Sequence, residues 1–523
     1  MRGGTQGTGD SVSAEAVRQG AAILGAAGMV VMLAPREVTA SLRVPDLPRR
    51  ITGLGILLAA WIIMAATLVP SGIQDKLSKP VWAGAAVVGV IVALVVAALL
   101  GRLLARKPWV WFLLLGLALP VRIPLSIGDT DANLLVPLYG VIVLGLFTWF
   151  WMNRAGERVW RGTPLDLPLL LFVGFSIVSL CWSSDIPEAA TKITFFWIPF
   201  LLLFVLAAQL WQRGRAVRVL GVTTMAMAIP VALLAVGEYA TREILWNHRL
   251  EQANVYSRFF RVNSIFYDPN ILGRYLVLAM LIGVAIAWLK RADTRVLVAV
   301  GAAEIIYSAG LVVTYSRSSA LMLMTGLFII SLRLFRPRRV ILITVILGVV
   351  GFAGAVVGSH QVRDALTSTS RLSKVSEGRF DLVDGGVEMW RAHPVVGSGL
   401  GSFAKDYSQM LSAGELKKTR VVISHNAPVT VLSEEGIVGF ALLAWLSVLG
   451  VIVGIRATRD RDEDIGVPGA MMLAGVVGIF VHALLYSALM EDPYTWVLLA
   501  GLVVLATFPR GDLLPEPGTA EAP

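Results

Sequence analysis

Residues 80–101 read PVWAGAAVVGVIVALVVAALLG, an apolar run of 22 residues without a single charge. A helix rises about 1.5 Å per residue, so this run matches the ~30 Å hydrocarbon thickness of a bilayer. It has no polar face to turn toward water, which is how a membrane span reads. Comparable stretches recur at about 51–71, 109–127, 134–152, 166–182, 191–211, 217–237 and 271–290. Others follow at 296–314, 318–334, 339–358, 436–455, 468–490 and 493–509. The expected fold is therefore all-α: a polytopic integral membrane helical bundle of about 14 transmembrane helices. Pro120 and Pro124 fall inside the 109–127 stretch and predict a kink or local unwinding there. The run 21–34 is too short to span with confidence, and residues 1–20 are polar, with no evident cleavable signal.

Composition agrees. The chain has 523 residues, 56% hydrophobic and only 15% charged, where a soluble protein carries about 25% charge. The net charge of +10 does not point to nucleic acid, because the basic residues cluster in short loops between apolar runs. Examples are Arg102, Arg106 and Lys107, then Arg154, Arg158 and Arg161, then Arg336, Arg338 and Arg339. These loops fall on one side of the membrane, which the positive-inside rule makes cytoplasmic. An even number of spans puts both termini inside, and a crossing by 21–34 would move only the N-terminus. Cys181 is the sole cysteine; this excludes an intramolecular disulfide and cysteine-rich metal sites, and the residue reads as small packing.

The organisation expected is an N-terminal cytoplasmic or interfacial segment (1–50), a transmembrane region (51–237) and a core (238–455). Two C-terminal spans (456–509) and a disordered, proline-bearing tail (510–523) complete it. Two opposite-side loops are long, at about 238–270 and 359–435, and long polar loops tend to carry function.

Three constellations lie on that side. The first runs from Arg258 to Asn270. Its Asp268-Pro269-Asn270 is a good helix start, and a helix N-terminus favours an anion that Arg261 can clamp. It also reads as an ordinary capped helix with interfacial arginines. The second is Thr314-Tyr-Ser-Arg-Ser-Ser319, where two spans meet almost without a loop. Arg317 there sits at or below the membrane surface, where a charge is expensive and marks function unless it snorkels. The third is the long loop with Gly378-Arg379, Trp390 to Pro394, Gly397-Ser-Gly-Leu-Gly401, Ser424-His425-Asn426 and Glu434-Glu435-Gly436. His425 suits proton transfer near neutral pH, whereas His393 and His482 read as structural. Guanidinium groups hold phosphate oxygens through paired hydrogen bonds and stay charged. Together these residues suggest transfer from a diphosphate-activated donor to an alcohol. Asp129-Thr-Asp131 offers a metal-dependent alternative.

These residues resemble the O-antigen ligase and Wzy-type polymerase superfamily of bacterial membrane glycosyltransferases. The resemblance rests on Arg261 to Asn270 (R-x-x-x-x-F-x-x-P-N) and Thr314 to Arg317 (T-x-S-R). It continues through Gly378 to Gly399 and His425 to Gly439, in order over roughly residues 255–455. It implies a C-type glycosyltransferase-like fold with a large extracytoplasmic loop, in the bacterial cytoplasmic membrane with the site facing outward. It implies a glycan donor on undecaprenyl diphosphate, an inverting reaction, and neither metal nor other cofactor. The acceptor would be a hydroxyl of a glycan, a lipid or a protein; membrane lipids are partners and nucleic acid is not. By position, Arg261 and Arg317 would engage the diphosphate and His425 the acceptor hydroxyl. Arg258, Arg379, Asn270, Asn426 and Glu434 would bind substrate. A transporter or flippase without covalent chemistry is the other class of reading.

Overall fold

The computed structural model describes residues 7–35, 45–127, 130–154, 160–211, 215–245, 247–257, 259–346, 379–411 and 424–508. Among these the protein is a polytopic, all-α membrane bundle with one short antiparallel hairpin, β1 (Ile123–Ile127) and β2 (Thr130–Leu134). The N-terminal half holds α1 (Gly7–Leu33), α2 (Asp46–Ala66), α3 (Pro80–Leu104), α4 (Trp109–Ala118) and α5 (Val136–Arg154). It continues with α6 (Asp166–Ser179), α7 (Ile186–Lys192), α8 (Ile198–Leu210) and α9 (Arg215–Thr241). Then come α10 (His248–Tyr256), α11 (Pro269–Leu289), α12 (Thr294–Val313) and α13 (Arg317–Leu334). The C-terminal part holds α14 (Arg379–Ala392), α15 (Phe403–Met410), α16 (Ala427–Thr458), α17 (Glu463–Ala483) and α18 (Pro493–Thr507).

Eleven helices among the described residues are long and apolar enough to cross a membrane, and α4, the α6 segment and α18 are shorter apolar helices. Three boundaries differ from the hydropathy reading. The 109–127 stretch is helical only to Ala118, because Pro120 and Pro124 cannot donate amide hydrogens to a continuing helix. The run 21–34 is the end of a longer helix whose apolar part, Ser13–Leu33, has span length. The last helix of the core starts at Ala427 rather than near 436, with a break at Gly436, φ 64°. The 339–358 stretch extends beyond the described residues, and the 510–523 tail lies outside them.

Helices pack closely where side chains shrink. A Cβ on Gly28 would meet the Leu57 amide nitrogen at 2.6 Å, and one on Gly53 the Met32 nitrogen at 2.4 Å. That contact joins α1 to α2 backbone to backbone. At the far end of this pair, Arg49 and Arg50 both bind Asp46 and also donate to the carbonyls closing α1 (Val31, Ala34 and Met32).

Prolines stand within the apolar spans, Pro230 in α9 and Pro468 in α17 among them. Between α7 and α8 the chain makes a π-turn, Ile193–Trp197, just before Pro199. Pro199 has no N–H for the carbonyl of Phe195 or, in the wider turn, of Thr194. Both carbonyls are served from outside: Tyr139 Oη donates to Phe195 O at 2.9 Å and Trp61 Nε1 to Thr194 O at 2.7 Å. Pro230 lies inside the continuous helix α9. In the turns before it, Tyr275 donates to Thr224 O at 3.0 Å and Tyr307 to Met225 O at 2.7 Å. An unserved carbonyl in hydrocarbon is expensive, so Tyr139 and Trp61 are what allow Pro199.

Tyr139→Phe should therefore destabilise the bundle by about 1–3 kcal/mol, the cost of a buried acceptor left unpaired. Pro199→Ala in the same background should recover part of that loss by restoring an N–H. Thermal unfolding of the four proteins in detergent measures the coupling, and an unchanged Tyr139→Phe protein contradicts the account.

Candidate functional site

Four helices begin at one end of the bundle, each with a side-chain cap. Asp268 accepts from Asn270 N at the start of α11, and Ser316 from Ser319 N at α13. Asn426 accepts from Val429 N at α16, and Asp492 from Tyr494 N at α18. Helix N-termini carry partial positive charge, so this end is suited to an anion. The Asp-Pro-Asn start read from the sequence is realised, with Pro269 in the first turn.

The loop bearing Arg261 is built on a carboxylate. Glu238, 4% exposed near the end of α9, accepts from the amides of Asn263 (3.2 Å) and Ser264 (2.8 Å) through one oxygen. Its other oxygen accepts from Leu245 N at 3.1 Å. Ser264 thereby adopts a left-handed backbone, φ 50°. Asn254 holds Arg261 on both backbone sides. The Arg261 guanidinium then donates to Thr314 O at 3.0 Å and to Asn270 Oδ1 at 3.2 Å.

From there a chain of polar contacts crosses the site. Ser316 Oγ donates to Asn270 Oδ1 at 2.9 Å and lies 3.1 Å from Ser318 Oγ. Ser318 Oγ is 3.1 Å from Nε2 of His482, a buried residue at the end of α17. The His482 ring meets Tyr486 at 5.7 Å between centroids, and Tyr486 meets His425 at 6.1 Å. Asn426 ties the His425 loop to the same segment by donating to Leu484 O at 3.1 Å. Arg317, exposed, is the first residue of α13 between Ser316 and Ser318. Thus Arg261, Asn270, Arg317, His425 and Asn426 come to one end of the bundle. Tyr315 and His425 share the left-handed backbone of Ser264, with φ 52° and 55°. Non-glycine residues in that region are strained, and such strain gathers at functional sites.

Glu434 lies deeper and is fully engaged. Its carboxylate accepts from the amides of Gly401 (2.9 Å) and Phe403 (3.3 Å) and faces Lys192 Nζ at 3.4 Å. Gly397, Gly399 and Gly401 have φ of 69°, 93° and 78°. A Cβ on Gly399 would stand 2.2 Å from Ser183 Cα. The Gly-Ser-Gly-Leu-Gly segment is therefore clasped between Ser183 and the α16 helix by a carboxylate and absent side chains. Glu491 also faces Lys192, at 3.9 Å; burial pushes its carboxyl up, with Lys192 pulling it back.

A second buried ion pair borders the site. Arg274, one turn into α11 from Asn270, meets Asp492 with Nε–Oδ2 2.6 Å, both about fully buried (2% and 3% exposed). Burial pushes the Tyr486 phenol well above its ordinary value, so it stays protonated. Below His425 and His482, an apolar cavity of about 440 Å³ opens between α16, α17 and α18, lined among others by Pro428, Phe440, Phe480 and Met490.

Arg258 lies outside the described residues, as do Asp129 and the side chains of Asp131 and Arg379. Among the described residues no group of three or more His, Cys, Asp or Glu side chains is arranged to hold a metal ion. Glu238, Tyr486 and Arg274 escaped the sequence reading, and His482 was read there as structural. For Glu238 and Arg274 a signal existed: a lone ionisable residue at the edge of an apolar run.

A family model described as O-antigen ligase matches residues 302–444, which hold Arg317, His425 and Glu434. Over these residues the chain is similar to O-antigen ligases. The likeness points to an O-antigen ligase/polymerase-type function in general. No curated protein matches the chain.

Glu238→Gln puts an amide donor opposite amide donors. Hydrogen exchange at Leu245, Asn263 and Ser264 should accelerate by about tenfold or more, equivalent to ~1.4 kcal/mol, while α17 amides keep their protection. Unaltered exchange at those three amides contradicts Glu238 as the loop's support.

Proposed function

We propose that this end of the bundle transfers a glycan from an undecaprenyl-diphosphate-linked donor to a hydroxyl acceptor on the outer face of the bacterial cytoplasmic membrane. The observation that carries the reading is the line of hydrogen-bonding contacts from Arg261 through Asn270, Ser316 and Ser318 to His482, continued by ring contacts through Tyr486 to His425. It joins a guanidinium-bearing half to a histidine-bearing half.

Arg261 and Arg317 bind the diphosphate, with Asn270 orienting Arg261. His425 takes the proton from the acceptor hydroxyl, or holds that hydroxyl in line. The acceptor oxygen forms a bond to the anomeric carbon as the bond from that carbon to the diphosphate oxygen breaks. The electron pair leaves with the diphosphate, where the guanidinium groups and capped helix N-termini stabilise the charge. A single displacement of this kind inverts the anomeric carbon. The apolar cavity below His425 suits the polyprenyl chain, since its lining is hydrocarbon and it begins three residues from His425 at Pro428. Arg258, Arg379 and Asn426 contribute to substrate binding. Glu434 acts by fixing the Gly-Ser-Gly-Leu-Gly segment beside the site. The sidedness follows from the positive-inside rule applied to the basic loops at the other end.

Arg317→Ala and His425→Ala should each lower glycan transfer by about a hundredfold or more, the range of lost electrostatic or general-base catalysis, with normal membrane insertion. Reconstituted protein with a defined lipid-linked donor measures this. Transfer at the normal rate in both variants, or flux of donor without a covalent product, overturns the reading. Transfer should also persist in excess EDTA; its loss would redirect attention to Asp129 and Asp131.

A further inference from the structure

Tyrosines packed into this bundle bond their hydroxyls to protein. Tyr139, Tyr275 and Tyr307 each donate to a backbone carbonyl, and the Tyr239 and Tyr315 hydroxyls lie 3.2 Å apart. The Tyr494 hydroxyl is sealed in the interior without a partner among the described residues. Tyr486 differs from all of these. It is half-buried, no group among the described residues hydrogen-bonds its hydroxyl, and the oxygen is not sealed from its surroundings.

That hydroxyl is turned toward the polar end of the bundle and not toward lipid, because the charges acting on it are Asp268, Arg274, Glu491 and Arg122. Asp268 caps α11 two residues before Asn270, which holds Arg261. The Tyr486 ring stands between the two histidines, with centroids 5.7 Å from His482 and 6.1 Å from His425. His482 in turn contacts Ser318, the neighbour of Arg317. Tyr486 therefore sits where the guanidinium half of the site meets the histidine half.

Its backbone is fixed on both sides. Asn426 donates to Leu484 O at 3.1 Å, and Arg274 Nη1 donates to Ala488 O at 2.7 Å. Two further bonds within the segment tie Leu489 O to Thr495 and Met490 O to Trp496, both at 2.8 Å. A donor held this firmly, with its hydrogen uncommitted, is preorganised for a ligand atom that gains negative charge. The phenol stays protonated, so it remains a donor.

We propose that Tyr486 is a further catalytic residue of the transfer, donating a hydrogen bond to the diphosphate oxygen that leaves the anomeric carbon. The proposal rests on the transfer reading for the identity of that oxygen. The bond strengthens as the electron pair moves onto the leaving oxygen. Tyr486 keeps its own proton, and the acceptor's proton goes to His425.

Tyr486→Phe keeps the ring between the histidines and removes one oxygen. Full-length protein in phosphatidylcholine nanodiscs, which carry no net anionic headgroup, is compared with wild type. The variant should transfer glycan with kcat lowered by about tenfold to a hundredfold and donor KM changed less, the pattern of a contact strongest in the transition state. Polyprenyl diphosphate and inorganic pyrophosphate should each bind about tenfold more weakly, equivalent to ~1.4 kcal/mol. The ligand-free unfolding temperature should not fall, since no protein partner is lost. Unchanged kcat with unchanged diphosphate affinity overturns the proposal and leaves transfer standing. A lower unfolding temperature with unchanged diphosphate affinity marks a structural phenol and overturns it as well. Wild-type protein that binds pyrophosphate more tightly than Tyr486→Phe yet moves no glycan keeps the phenol contact and sinks the transfer reading.

Discussion

Inside hydrocarbon, no water completes a backbone hydrogen bond, and this absence shapes the whole molecule. Each span must satisfy its own amides and carbonyls or borrow partners from a neighbouring helix. Pro199 breaks that self-sufficiency and Trp61 and Tyr139 repair it with side-chain donors, while Tyr275 and Tyr307 add donors to carbonyls of α9. The repairs also lock helices together, since each donor comes from a different helix than its acceptor. Irregular backbone is tolerated at depth only with such help, so the bulk of it is driven to the helix ends, where the polar chemistry collects.

At the candidate site the same accounting is done with carboxylates. Glu238 gathers three amides of the Arg261 loop and Glu434 gathers two of the glycine segment. Each is a charged acceptor facing several donors, the strong form of the hydrogen bond. Rigid support of this kind is what permits Ser264 to keep its strained backbone. The residues proposed to meet substrate are thus carried on short loops whose freedom has been removed from beneath.

Much of this was legible because membrane spans and helix caps are local signals. The 80–101 run, the Asp268-Pro269-Asn270 start and the near-absence of a loop at Thr314–Ser319 all depend on residues adjacent in sequence. Glu434 and the glycine segment were visible as residues but not as partners of Lys192, because Lys192 and Glu434 stand 242 positions apart. His482 looked like a packing residue within a span. Only the fold sets it between Ser318 and Tyr486. The 109–127 stretch was apolar enough to pass for a full span, and its prolines outweighed hydropathy. At the N-terminus the reverse happened, since a polar start concealed a helix whose last turns alone read as apolar.

One peripheral element has its own consequence. α3 is joined to the bundle near its C-terminal end, where Gly101 packs on Phe147 and Trp151 Nε1 donates to Ala98 O at 3.0 Å. None of its apolar window is buried. Its 25 residues reach about 37 Å at 1.5 Å per residue, more than the ~30 Å hydrocarbon layer. A helix that long has room to lean, and one anchored near a single end can change its lean as bilayer thickness changes. Variation in membrane thickness is thus taken up at the rim by α3, without disturbing the packed helices that hold the site.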